Sequence, residues 1–159
     1  MSLFDLTNRV ALITGAGGLL GYEHAYALLE RNAAVVLTDL SLDNLLQWEV
    51  RLKSVFPNSI IESYALDVTS EKAINDLCEQ FKLNKIFIEI LINNAAIDAK
   101  VDSSSTMETS RLENISIDQW NKEIAVGLTG TMLCSRIFGF QMAKKQKGVI
   151  LNIASDLSV

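Results

Sequence analysis

The sequence predicts an α/β protein built on one doubly wound parallel sheet. Short β-branched runs alternate with longer segments of helical period, and each connecting segment is long enough to cross over. A glycine-rich stretch joins the first run to the first helical segment. Right-handed crossovers of these lengths give the strand order 3-2-1-4-5.

The first strand is expected over Val10 to Thr14, followed by an apolar helix pattern from Leu19 to about Arg31. The second run, Ala33 to Thr38, precedes a helix that Ser41 can cap, with Asp43 in the turn where the helix dipole favours an anion. Pro57 ends that unit. Ile60 to Leu66 then leads to a helix opening near Ser70, with Glu71 early and Lys82 late. Ile86 to Ile92 is apolar enough for a strand buried on both faces. Ala99 to Asn114, rich in Ser, Thr and charges, is the one long irregular stretch and reads as a loop over a ligand site. Ser116, Ile117, Asp118 and Gln119 form a capping-box pattern opening a long helix to about Lys145. Val149 to Ala154 is the fifth strand, after which the sheet is expected to be truncated.

Composition bounds the function. The 159 residues suit a single domain, 1–159, with 49% hydrophobic and 21% charged residues. A net charge of −5 and a pI near 4.9 disfavour a nucleic-acid or anionic-membrane surface, which needs clustered cations. Lys144, Lys145 and Lys147 read as a solvated helix end. Cys78 and Cys134 have no metal-ligand spacing, so no metal is expected and both thiols should be buried. The first residues lack a basic, apolar leader pattern and no apolar stretch would span a bilayer, so the expected location is cytoplasmic.

The chemistry concentrates in Thr14-Gly15-Ala16-Gly17-Gly18-Leu19-Leu20-Gly21. Glycines at a strand-to-helix turn let the backbone approach a pyrophosphate, whose charge the helix N-terminus stabilises. Asp39 follows eighteen residues after Gly21, at the end of the second strand. A carboxylate there accepts hydrogen bonds from ribose hydroxyls and repels a 2′-phosphate, which favours NAD over NADP. No Arg or Lys lies in the turn or directly after Asp39. His24 reads as a surface or packing residue, and Trp48 and Trp120 as core packing residues.

With these residues in place, the chain resembles the short-chain dehydrogenase/reductase family along essentially its whole length. The matching motifs run in order: Thr14 to Gly21, Asp67-Val68, Asn93-Asn94-Ala95-Ala96, Trp120 to Gly130, and Asn152-Ile153-Ala154-Ser155. The resemblance implies a Rossmann-type domain that binds NAD through Gly15, Gly18, Leu19, Leu20, Gly21 and Asp39. It further implies that Asp67 and Val68 contact adenine, and that Asn93, Ala95 and Ala96 line the adenosine side of the groove. Asn94 either joins that lining or braces the central strands. Ser155 matches the catalytic serine that hydrogen-bonds the oxygen of an alcohol or carbonyl substrate.

The departures matter as much. The family's general acid/base is a Tyr four residues before a Lys, beyond the serine. Tyr22, Tyr26 and Tyr64 have no Lys at that spacing. The expected result is a chain that is inactive alone, or a non-catalytic NAD-binding module acting with a partner. Homo-oligomerisation, or association through the exposed edge of the fifth strand, is the expected state. Gly127 stands where the family has a catalytic Asn, which either removes a ligand from the proton relay or permits close packing. Leu19 replaces the usual second glycine, although Gly15, Gly18 and Gly21 satisfy an alternative spacing. Ala96 replaces a usual Gly.

Overall fold

A computed structural model describes residues 4–97 and 112–154. The strands are β1 (Val10–Thr14), β2 (Ala34–Asp39), β3 (Ile61–Ala65), β4 (Ile90–Asn93) and β5 (Val149–Asn152). They form one parallel sheet in the order β3-β2-β1-β4-β5, as the sequence predicts. The helices are α1 (Leu19–Leu29), α2 (Leu42–Val55), α3 (Glu71–Leu83), α4 (Ile117–Ile124) and α5 (Thr131–Lys145).

The two faces carry separate cores. Ile13, Val35, Leu37 and Ile92 meet Tyr22, Ala25, Leu45 and Leu52 of α1 and α2. Leu12, Val36 and Leu91 meet Ile74, Phe81, Leu133 and Phe138 of α3 and α5. Helices therefore change face as the chain passes from one side of β1 to the other. That reversal opens a crevice at the carboxyl ends of β1 and β4.

Local chemistry sets the helix starts. Ser41 Oγ accepts from the Asn44 amide, Ser70 Oγ from Ala73 and Ser116 Oγ from Gln119. The capping box at Ser116 is only half formed, because the Gln119 side chain donates to Glu123 instead.

The structure corrects the sequence reading in four places. The long helix is not uniform: a π-helical segment, Ala125–Gly130, separates α4 from α5. The fourth strand begins at Ile90 rather than Ile86, although the Glu89 amide already donates to Val10 O and its carbonyl accepts from Val149. Glu89 also breaks the apolar run, buried with its carboxylate paired to Arg9 and to Lys147 at 3.0 Å. Trp120 is half exposed, because no residue of α4 is buried. Cys78 and Cys134 are buried as expected, and burial pushes the Cys134 thiol pKa up to about 12.

β5 pairs only with β4 among the described strands. Ile150 sits beneath α5, where a Cβ added to Gly139 would lie 3.1 Å from its Cδ1. Val149 and Leu151 remain about half exposed. Among the described residues, no helix is long and apolar enough to cross a membrane, and no His, Cys, Asp and Glu cluster could hold a metal.

Candidate functional site

The glycine motif folds into the turn between β1 and α1. Gly15 has φ +63°, and a Cβ there would lie 2.7 Å from Ala95 Cα. A Cβ on Gly21 would lie 2.5 Å from Ala16 Cα, so the first turn of α1 packs directly on the loop. Both positions therefore demand glycine. Gly18 is the N-cap of α1 and supplies no side-chain cap, and the first turn carries no carboxylate. The opening amides of this helix are left to solvent or to an anion. Leu19 and Leu20 are 72% and 57% exposed, so they stand on the rim without filling the turn.

Asp39 turns toward this loop. Its Oδ2 accepts from the Gly17 amide at 3.0 Å and its Oδ1 from the Ser41 amide at 3.1 Å. A Cβ on Gly17 would lie 3.0 Å from the carboxylate and 3.2 Å from Asn44 Cβ. The acid is thus held by two backbone donors with lone pairs to spare, since an ionised carboxylate offers about four acceptor sites. Across the crevice, Asn94 Nδ2 donates to the carbonyls of Thr14 and Gly15, both at 3.0 Å. Thr14 Oγ1 accepts from the amides of Asn94 and Ala95. Of the two roles open to the Asn94 side chain, the structure shows the bracing one.

A family model described as short chain dehydrogenase matches residues 9–159. The chain belongs to the short-chain dehydrogenase family. It is 30% identical over 151 residues to YxbG, an uncharacterized oxidoreductase of Bacillus subtilis (strain 168), covering 94% of this chain and 51% of the relative. It is 30% identical over 153 residues to the short chain dehydrogenase/reductase dpmpG of Macrophomina phaseolina (strain MS6), covering 95% of this chain and 82% of the relative. Among solved structures, an NAD+-bound xylitol dehydrogenase superposes with TM-score 0.82 at 26% identity, covering 94% of this chain and 54% of that one. A metagenomic short-chain oxidoreductase in complex with NADP gives 0.79 at 27%, covering 94% and 62%. The chain thus spans about half the length of most relatives it matches, and family structures carry either dinucleotide.

The other motif residues divide by position. Ala95 and Ala96 follow β4 at the crevice, Ala95 half-buried and Ala96 exposed. Asp67 is exposed after β3, its Oδ1 accepting from the amide and hydroxyl of Thr69. Val68 is buried against Gly130, where a Cβ would lie 2.8 Å from Val68 Cγ2. Asn93 points into the sheet interior, donating to Ser135 Oγ and Asn152 Oδ1 at 2.9 and 2.8 Å. Its side chain ties β4 to α5 and β5 instead of lining the groove. Ser155 lies outside the described residues, as does nearly all of the Ala99 to Asn114 loop.

Gly127 is exposed, and among the described residues a Cβ there would meet nothing within 4 Å. Within the described residues, close packing falls on Gly130 instead. The Gly127 carbonyl instead accepts from Thr131 Oγ1 at 2.8 Å inside the π-helical segment. The Tyr64 hydroxyl donates to Glu62 at 2.6 Å, which with burial pushes its pKa up to about 12. That is the opposite of what proton exchange near neutrality requires. Sequence reading placed Trp48 in the core, but the structure adds a polar role: its Nε1 donates to the Gly17 carbonyl at 2.9 Å. The available signal was that a half-buried indole N–H needs an acceptor.

Proposed function

We propose that this chain forms the dinucleotide-binding part of an NAD-dependent oxidoreductase acting on an alcohol or carbonyl substrate. The observation that carries the reading is Asp39, fixed beside the glycine turn by the amides of Gly17 and Ser41. The turn fits the group: a Cβ at Gly18 would meet nothing closer than 3.6 Å among the described residues, which leaves the approach to the helix start open, and the α1 amides are uncapped. The amides at Leu19, Leu20 and Gly21 would hold the diphosphate, and Asp39 would accept from the adenosine ribose hydroxyls. A 2′-phosphate would meet the Asp39 carboxylate with no Arg or Lys in the turn or directly after Asp39. Asp67 and the residues after β4 border the adenosine side, and Ser155 would hydrogen-bond the substrate oxygen. When bound, NAD supplies the hydride chemistry; the protein's part is placement and proton management.

The 159 residues hold no Tyr-x-x-x-Lys arrangement, and Tyr64 cannot serve as a substitute. Assayed alone, these 159 residues are expected to bind NAD with negligible turnover, and the expected location is cytoplasmic. A second reading, a non-catalytic NAD module completed by a partner, is favoured by the half-exposed apolar side chains of β5. Calorimetric titration with NAD and NADP, paired with a hydride-transfer assay on simple alcohols, tests both. NAD binding with NADP weaker and negligible turnover is expected. Preference for NADP, or no binding of either, refutes the proposal.

A further inference from the structure

Gly17 is held from both sides. Its N–H goes to Asp39 and its carbonyl accepts from the Trp48 indole, at 3.0 and 2.9 Å. Gly18 beside it is the loosest position of the motif, because among the described residues a Cβ there would meet nothing closer than 3.6 Å. Two adjacent glycines left loose would lose backbone entropy whenever a ligand ordered them.

The indole is well placed to prevent this. Trp48 packs on Tyr22 of α1 with ring centroids 4.7 Å apart and ring planes tilted by 41°, and the Arg51 guanidinium lies over both rings at 5.0 and 5.6 Å. Tyr22 is buried, and it also packs against Tyr26, which meets Phe56 edge-on. The Trp48 N–H is therefore aimed by a cluster anchored in α1 and α2, and holding the turn costs little further ordering.

From this geometry we infer that Trp48 is a positioning residue, presetting the glycine turn for a dinucleotide by latching the carbonyl of Gly17, whose N–H is held by the Asp39 carboxylate. The inference rests on the dinucleotide reading and extends it to a residue on α2 outside the glycine motif. α2 thereby acts on the site twice, through the Ser41 amide on Asp39 and through Trp48 on Gly17.

The test uses Trp48→Phe, which keeps a ring to pack on Tyr22 but deletes the N–H. Without ligand, exchange of the Gly17 and Gly18 amides in the full 159-residue chain should quicken about 10-fold or more while the thermal midpoint hardly moves. The Kd for NAD should rise roughly 2- to 12-fold, the range for one lost hydrogen bond. Combined with Asp39→Ala the loss should be less than additive, because both groups hold Gly17. A Trp120→Phe background isolates Trp48 emission, which should change on NAD titration with the midpoint found calorimetrically. Unchanged exchange together with unchanged NAD affinity in Trp48→Phe overturns the inference, as does Trp48 emission that stays constant while NAD saturates the chain. If the parent chain binds no NAD, the cofactor reading and the positioning role both fail. The exchange comparison, made without ligand, still reports separately whether Trp48 holds the turn.

Discussion

Glu89→Gln is the sharpest test of how the sheet is fastened to its exposed fifth strand. The Glu89 carboxylate, with 8% of its side chain exposed, joins Arg9 before β1 to Lys147 before β5. Burial alone would push its pKa up, but hydrogen bonds from Arg9 and Lys147 outweigh that and hold it below the ordinary 4.5. Each buried charge-assisted bond is worth about 1.5–3 kcal/mol. The Arg9 and Lys147 side chains are 40% and 48% exposed, however, so water screens them and recovers them when the anion is lost. Discounting toward the value of surface pairs leaves about 1–2 kcal/mol for the change. For a chain of this size that is a fall of about 2–8 °C in thermal midpoint.

The pH dependence has a definite sign. A carboxyl with a lowered folded pKa contributes fully above its unfolded value, near 4.3, and loses the contribution as pH falls through the folded one. The gap between parent and variant in urea midpoints should be full at pH 7 and close under acid conditions below about pH 4. Equal midpoints at pH 7, or a gap that survives unchanged at pH 3, would refute the clamp.

Two further substitutions probe other parts of the fold. Gly127→Ala should raise stability by about 0.5–1 kcal/mol, because its Cβ meets none of the described residues and glycine is costly within a helix; a loss on thermal melting would show that the segment needs glycine there. Leu151→Lys places a charge on a half-exposed residue of β5; if the chain associates through β5 as proposed, the parent should sediment as an oligomer and the variant should shift toward monomer. Identical sedimentation of the two proteins would remove β5 from the interface.

Much of this was legible in the sequence because the periodic signals were strong. β1 falls on the residues its pattern marked, and Ser41, Ser70 and Ser116 cap the helices they precede. The glycines and Asp39 converge because a strand-to-helix turn and the next strand end are forced together by parallel pairing of β1 with β2. Other features depend on three-dimensional partners. The π-helical segment leaves no trace in apolar spacing, and Gly127 gives way to Gly130 as the packing position only once Val68 is placed beside it. Asn93 sits in a motif associated with the groove, yet a strand alternates its faces, and the face Asn93 occupies is that of α5. Glu89 looked like an interruption of an apolar strand until Arg9 and Lys147, remote in sequence, supplied its countercharges.

In the proposed complex the amides opening α1 receive a diphosphate while Asp39 receives the adjoining ribose. Following backbone amide resonances during NAD addition tests it most directly. The account predicts that Gly17, Leu19, Leu20 and Ser41 shift together along one saturation curve, while Lys85 and Lys145 at the opposite end of the sheet stay still. Saturable shifts confined to other residues, with the glycine turn and Ser41 unmoved, would contradict it.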